Sequence, residues 1–352
     1  MEVLNKQVTI KDVADAANVH PSTVSRALGG QPEGLVSRAT VARVRAVARE
    51  LGYEPNALAR GLKINRTMTI GMLIPDLANT IFPPIVRGIE DELGKHGYTL
   101  LIANTDNDHE REAELLGVMA RRRVDGLIIA TARREYPLLG RMLSANLPVV
   151  LVNRTADHPP LSSVAGDDRE GIALAVRHLA QLGHTRIAHL AATREITTGL
   201  IRYQSFLNTM ESLGLEVDHD LITWCPWFTE EYGALAFEEL LDREVDFTAV
   251  VCANDRVAMG VYDVAAARGL SIPGDFSVVG YNDTPFAPRL TPPLTSVRVP
   301  YYQIGVKSAE LMLAAVAEDG ETVPVSIRLG PELVPRASST APAGVPAARP
   351  RP

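Results

Sequence analysis

The sequence predicts an α/β protein: a core of two lobes, each a doubly wound parallel sheet with helices on both faces, behind a small all-α N-terminal module. Three observations carry this expectation. From Thr69 onward, apolar runs of strand length alternate with helical patterns, as parallel strands buried beneath helices require. The alternation occurs in two series, which implies two lobes. The first sixty-odd residues contain no such strands and read as short helices. With 352 residues, 46% hydrophobic and 22% charged, the chain can bury a large core and carry more than one domain.

The module is built from local signals. Thr9 is a good N-cap, Asp12 stands at the acidic position of a capping box, and Ile10, Val13, Ala14 and Ala17 follow at helical spacing. Asn18-Val19-His20 breaks the pattern, and Pro21 starts a second helix, where its missing N–H is tolerated. Val24 and Leu28 then face inward, and Pro21, Ser22, Ser25 and Arg26 face outward. Two short helices joined by a tight turn form a helix-turn-helix, whose second helix enters the major groove of DNA. A third helix runs from an N-cap at Ser37 through Val41, Val44, Val47, Ala48 and Leu51 to a stop at Gly52. After Tyr53, a Pro-Asn restart gives one more short helix, through Lys63.

In the first lobe, Ile70 to Ile74, Thr99 to Ala103, Gly126 to Ala130 and Val149 to Val152 read as buried strands, with helices near 84–96, 109–122 and 136–145. In the second, Arg186 to Ala191, Ala249 to Ala253 and Ser277 to Gly280 are strands, with helices near 168–183, 200–213, 230–241 and 255–268. Open parallel sheets bind ligands beyond the carboxyl ends of their strands, so the space between the lobes is the expected small-molecule site. The segment from Ser338 to Pro352 is rich in Ala, Pro and Gly without apolar period and reads as a disordered tail.

Charge is divided unevenly. Residues 1–66 hold ten Lys/Arg against six Asp/Glu, a net +4; the whole chain carries −7, so the remainder carries −11. A basic module on an acidic body fits nucleic acid at the module end, since phosphate neutralisation supplies most sequence-independent affinity. No signal-peptide pattern and no apolar run of membrane-crossing length is present, so a cytoplasmic protein is expected. Cys225 and Cys252 read as free buried thiols; the scattered His residues, His178, His184 and His189 among them, read as packed or surface side chains, and neither metal nor cofactor is expected. There is no P-loop, dinucleotide fingerprint or nucleophile elbow, which argues against an enzyme.

Val-Thr-Ile-x-Asp-Val-Ala from Val8, Ser-Thr-Val-Ser-Arg-Ala-Leu from Ser22, and Leu-Gly-Tyr-x-Pro-Asn-x-x-Ala-Arg from Leu51 occur in that order. In this combination the chain resembles the LacI/GalR family of bacterial transcription regulators, and the resemblance continues through almost its whole length. It implies a helix-turn-helix domain at 1–54, a hinge helix and linker at 55–67, and a periplasmic-binding-protein-like effector and dimerisation core at 68–337. Lobe crossings are expected near 163–166, 297–300 and 325–327, so that 68–164 and 299–325 form the N-lobe, 166–298 and 326–337 the C-lobe, and 338–352 a tail. The implied protein is a homodimeric repressor of carbohydrate-utilisation genes, bound to a pseudo-palindromic operator in double-stranded DNA and controlled by a sugar or sugar derivative.

The DNA-contacting set is then Thr9, His20, Pro21, Ser22, Thr23, Ser25, Arg26, Ser37, Asn56, Ala59, Arg60, Leu62 and Lys63. Arg26 can grip guanine O6 and N7 bidentately. Pro21 and Ser22 match the positions that tune operator choice, and His20 stands where relatives often carry Ser, which is expected to weaken the local cap or to bring the imidazole to a phosphate. Leu62 matches the leucine that wedges into a central base step from the minor groove. The effector set is Asn79, Phe82, Asn153, Thr198, Arg202, Phe228, Asn254 and Asn282, with Arg202 as the main polar anchor. Asn153 and Asn282 replace the Asp common in relatives, which makes the cleft less hostile to an anion. Asp167, Asp255 and Asp283 are expected to keep it acidic, which favours a neutral sugar, and Ile196 disfavours a purine. The alternatives are a sugar-binding transport-type protein, opposed by the DNA module, and a regulator answering to an anionic metabolite.

Overall fold

The computed structural model describes residues 8–28, 36–53, 66–138, 140, 147–317 and 323–342. Asn56, Ala59, Arg60, Leu62 and Lys63, most of the helix expected near 136–145, and the tail beyond 342 lie outside the described residues. The chain divides into two compact units, Met1–Thr67 and Met68–Pro352.

The first unit contains α1 (Ile10–Ala16), α2 (Pro21–Leu28) and α3 (Arg38–Glu50). At the start of α1 the capping box closes: Thr9 N donates to Asp12 Oδ2 at 2.7 Å and Asp12 N to the Thr9 hydroxyl. Helix α3 begins under the Ser37 hydroxyl and ends at Gly52 (φ 65°), where Gly52 N donates to Arg49 O and Tyr53 N to Ala48 O. This is a Schellman turn, which needs the left-handed residue that glycine supplies most readily. Val13, Ala14, Ala17, Val24, Ala27, Val44 and Ala48 form the shared core. Leu51, the last residue of that helix's apolar series, is exposed because it stands at the C-cap, beyond Ala48.

The second unit holds two six-stranded sheets. Strands β1 (Thr69–Ile74), β2 (Thr99–Asn104), β3 (Gly126–Ile129), β4 (Val149–Val152), β5 (Ser162–Gly166) and β11 (Ser326–Leu329) pair in the order β11-β5-β4-β3-β1-β2, all parallel. Strands β6 (Ile187–Ala192), β7 (Ile222–Cys225), β8 (Ala249–Cys252), β9 (Ser277–Asn282), β10 (Thr295–Arg298) and β12 (Glu332–Val334) pair in the order β12-β10-β9-β8-β6-β7, parallel except for β12. The first sheet reverses order between β1 and β3 and the second between β6 and β8, the switch points at which doubly wound folds open a crevice.

The N-lobe helices are α4 (Phe82–Lys95), α5 (His109–Arg121) and α10 (Tyr301–Ala317); the C-lobe helices are α6 (Asp168–Gln181), α7 (Thr197–Ser212), α8 (Glu230–Asp242) and α9 (Asp255–Arg268). Helices α4 and α10 cross backbone to backbone: a Cβ at Gly88 would overlap the Tyr302 carbonyl, and one at Gly305 the Ile85 carbonyl. The N-lobe core is aliphatic, from Ile70, Met72, Ile74, Ile85, Ile128 and Val150; in the C-lobe Phe237, Phe247 and Phe276 pack ring on ring.

Two boundaries differ from the sequence reading. Because β11 pairs with β5, Ser326 to Leu329 belong to the first sheet, and the chain crosses to the second lobe after Leu329 instead of at 325–327. Ser338, read as the start of a tail, is fully buried; its hydroxyl accepts from Thr295 N and donates to Val278 O, and its carbonyl accepts from Val278 N. Thr340 continues the docking through Ser277 and His184. An Ala/Pro-rich composition hid this because three residues with good partners suffice to anchor a segment.

Candidate functional site

On the first unit, α2 presents Ser22 and Arg26 to solvent, with Pro21, Thr23 and Ser25 half-buried between them. Arg26 has no ion-pair partner among the described residues, which leaves its planar fork available for a base edge. His20 does not weaken the cap; it supplies it. Its Nδ1 accepts from Ser22 N at 3.2 Å and lies 2.8 Å from the Ser22 hydroxyl. An accepting Nδ1 places the ring proton on Nε2, which remains free to donate outward. Thr9 and Ser37 are both engaged in caps, Thr9 through Asp12 and Ser37 through Thr40, so their hydroxyls serve the helix ends first.

In the second unit, all eight residues of the expected effector set line one cavity of about 580 Å3, open solvent included, between the two sheets. Topology explains the convergence. Asn153 follows β4, Asn254 follows β8, Asn282 ends β9 and Phe228 follows β7, so strand carboxyl ends from both lobes face one another. Phe82 and Asn79 come from the turn into α4, and Thr198 and Arg202 from the first turns of α7. Pro75, Asp76, Ile81, Asn107, Arg154, Trp227, Thr229 and Arg256 also line the cavity. The sequence reading missed these. Trp227 and Arg154 stood next to residues it singled out, and that adjacency at strand ends was the available signal.

Several of these side chains are already engaged. Arg202, 5% exposed, donates from Nε to Asp168 Oδ1 at 2.8 Å and from Nη1 to the Ala253 carbonyl at 2.7 Å, with Nη2 also 2.8 Å from Asp168. Its plane lies 3.8 Å above the Tyr281 ring, for which Gly171 leaves room, and 5.7 Å from the Phe228 ring. Burial works against this cation, yet the Asp168 carboxylate holds its pKa above the ordinary guanidinium value. Arg202 is therefore first a member of a buried ion pair, with only its remaining N–H groups left for the cavity. Asn254 caps α9 through Val257 N, and Asn282 Oδ1 accepts from the Tyr301 hydroxyl at 2.6 Å.

The aspartates expected to keep the cavity acidic do not line it. Asp255 is fully buried and accepts from Ser296 Oγ, Thr284 N and Thr284 Oγ1. Asp283 is paired with Arg298 and Arg336, and Asp167 caps α6. Two flanks of the cavity are bridged across the lobes. Arg256 lies between Glu230 (2.7 Å) and Asp76 (3.3 Å), and Arg133 meets Glu195 at 3.0 Å while Arg134 N donates to the Glu195 carbonyl. Among the described residues, no cluster of His, Cys, Asp and Glu could hold a metal ion, and no helix is long and apolar enough to cross a membrane.

Comparison with known proteins places both units. Residues 9–56 match the model of bacterial regulatory proteins of the lacI family, and residues 67–330 that of periplasmic binding proteins and the sugar binding domain of the LacI family. The ribose operon repressor of Bacillus subtilis (strain 168) is 35% identical over 88% of this chain and 91% of its own. A structure of the Lac repressor dimer bound to operator and the anti-inducer ONPF superposes with a TM-score of 0.81 at 27% identity, covering 96% of this chain and 100% of that one. A transcriptional regulator CelR–cellobiose complex superposes at 0.74 with 31% identity, covering 94% and 100%. These relatives are transcriptional regulators. The helix-turn-helix unit, the paired doubly wound sheets and matches over both make this chain a member of the LacI family of bacterial regulatory proteins.

Proposed function

We propose that this chain is a cytoplasmic, homodimeric transcriptional repressor without enzymatic activity, whose affinity for operator DNA is set by a sugar or sugar derivative bound between the two lobes. One observation carries the reading: a single chain joins a helix-turn-helix with an exposed, uncommitted Arg26 to a cavity in which eight strand-end and helix-start residues converge. Two copies related by symmetry read two related half-sites, so the operator is a pseudo-palindrome. Phe82, Trp227 and Phe228 offer apolar faces to a sugar ring, and the cavity asparagines offer donors and acceptors to its hydroxyls. The effector acts by differential affinity for lobe arrangements, and the Asp76–Arg256 and Arg133–Glu195 bridges are contacts that differ between a closed and an open cleft.

Selection of bound duplexes from a random pool tests the first half. The pool should converge on a pseudo-palindrome, and Arg26→Ala should lose roughly 1–3 kcal/mol of preference for it over random duplex while retaining salt-sensitive binding to both. Convergence on an asymmetric site, or equal loss on both duplexes, would count against it.

A further inference from the structure

The wall of the cavity carries three guanidinium groups, Arg154, Arg202 and Arg256, and among the described residues one carboxylate, Asp76. Two of the cations are satisfied within the protein: Arg202 by Asp168 and the Ala253 carbonyl, Arg256 by Asp76 and Glu230. Arg154 differs. It follows Asn153 beyond the end of β4, half-buried, and none of its five N–H donors meets an acceptor among the described residues. Burial, Arg133 and Arg202 together bring its pKa down to about 10. Glu112 opposes them from a distance, but its carboxylate accepts from the Thr131 and Tyr136 hydroxyls and makes no bond to Arg154.

A half-withdrawn cation without a counter-ion is unfavourable, and a ligand anion relieves it. No carboxylate of the cavity wall stands in the way, since Asp76 already faces Arg256 and the uncharged polar groups of the wall are asparagine amides, the Thr198 and Thr229 hydroxyls and the Trp227 indole. We propose that the effector is an anionic sugar derivative, a polyhydroxylated molecule carrying one carboxylate or phosphate, and that Arg154 receives that group through paired N–H···O bonds. The proposal rests on reading the cavity as the effector site and names the class of molecule it takes.

Calorimetric titration of the full-length protein with matched pairs tests it: D-gluconate, D-glucuronate and D-glucose 6-phosphate against D-glucose, and D-ribose 5-phosphate against D-ribose. At least one charged member should bind tenfold or more tightly than its neutral parent, and which arm responds tells carboxylate from phosphate. In Arg154→Gln that ratio should fall to near one, and Arg154→Lys, which keeps a point charge without the fork, should retain part of it. Ligand-free melting points of both variants report whether they fold. Neutral sugars binding as well as or better than their charged partners in the unaltered protein would overturn the proposal while leaving the cavity an effector site, as would an unchanged ratio in Arg154→Gln. No binding by any sugar, charged or neutral, would overturn both.

Discussion

Arg202 shows how a residue that looks like a ligand anchor can first be a structural one. Its partner Asp168 is itself 4% exposed, so truncating the arginine strands a buried carboxylate. Arg202→Ala is therefore expected to lower unfolding free energy by about 3–5 kcal/mol, and Arg202→Met with Asp168→Asn by much less, because the pair is then removed as a unit. Urea denaturation separates the two; equal losses would show that the pair carries no coupling. Asp255 and His189 are buried titrating groups of the same lobe with opposite signs. Burial pushes Asp255 up to about 6, so its folded state binds a proton more tightly than the unfolded chain, and its contribution is greatest below pH 4 and lost as pH rises through about 6. His189, stacked on Phe206 with Nδ1 at the Val251 carbonyl, is held down to about 4 by burial, so its contribution is present above pH 6.5 and lost as pH falls through about 4. Against Asp255→Asn, the unaltered protein should gain stability on the order of 2–3 kcal/mol between pH 7 and pH 4. A gap that does not move with pH would show that Asp255 stays ionised throughout.

At the scale of elements, α4 offers a matched comparison within one helix. Gly88 meets the backbone of α10 where any Cβ would collide, whereas Gly94 faces open space. Gly88→Ala should cost about 1–3 kcal/mol through forced separation of the helices, and Gly94→Ala should be neutral or stabilising by up to about 1 kcal/mol through lost unfolded-state entropy. Thermal unfolding distinguishes them, and a harmless Gly88→Ala would mean that the α4–α10 contact is looser than the structure shows. Elements like α1 and α3 were legible in the sequence because their signals are local: Thr9 with Asp12, Ser37, and Gly52 act within one turn of the chain. The central strands β1, β3, β4, β6, β8 and β9 were legible because both faces are buried and their sequences are continuous apolar runs. Strands β5 (Ser-Ser-Val-Ala-Gly) and β11 (Ser-Ile-Arg-Leu) were not, since each is short, polar in part and defined by a partner about 160 residues away. A separation of 34 residues likewise concealed the Arg202–Asp168 pair, and with it the fact that Arg154 is the cavity cation left without a partner among the described residues. Strand ends and family motifs together named eight cavity residues, but which of them were already engaged depends on packing that no local pattern encodes.

For the whole molecule, the last described residues matter more than their composition suggests. A chain ending at Ala337 removes the Ser338 and Thr340 partners of Val278, Thr295 and Ser277, and is expected to lose at least about 3 kcal/mol, whereas one ending at Pro342 should melt with the full-length protein. Equal melting of the two would show that the docking is ornamental to stability. The same stretch supplies β11 to the first sheet and β12 to the second. Neither lobe is thus a continuous piece of chain, and on the ribosome both sheets wait with an open edge until Ser326 to Val334 emerge. The helix-turn-helix is translated some 270 residues earlier. A message broken or stalled before Ser326 would yield a product that holds the whole helix-turn-helix but two unfinished sheets, prone to pair with each other's edges. The DNA-binding unit is thus made long before either sheet can be closed at its β11 or β12 edge.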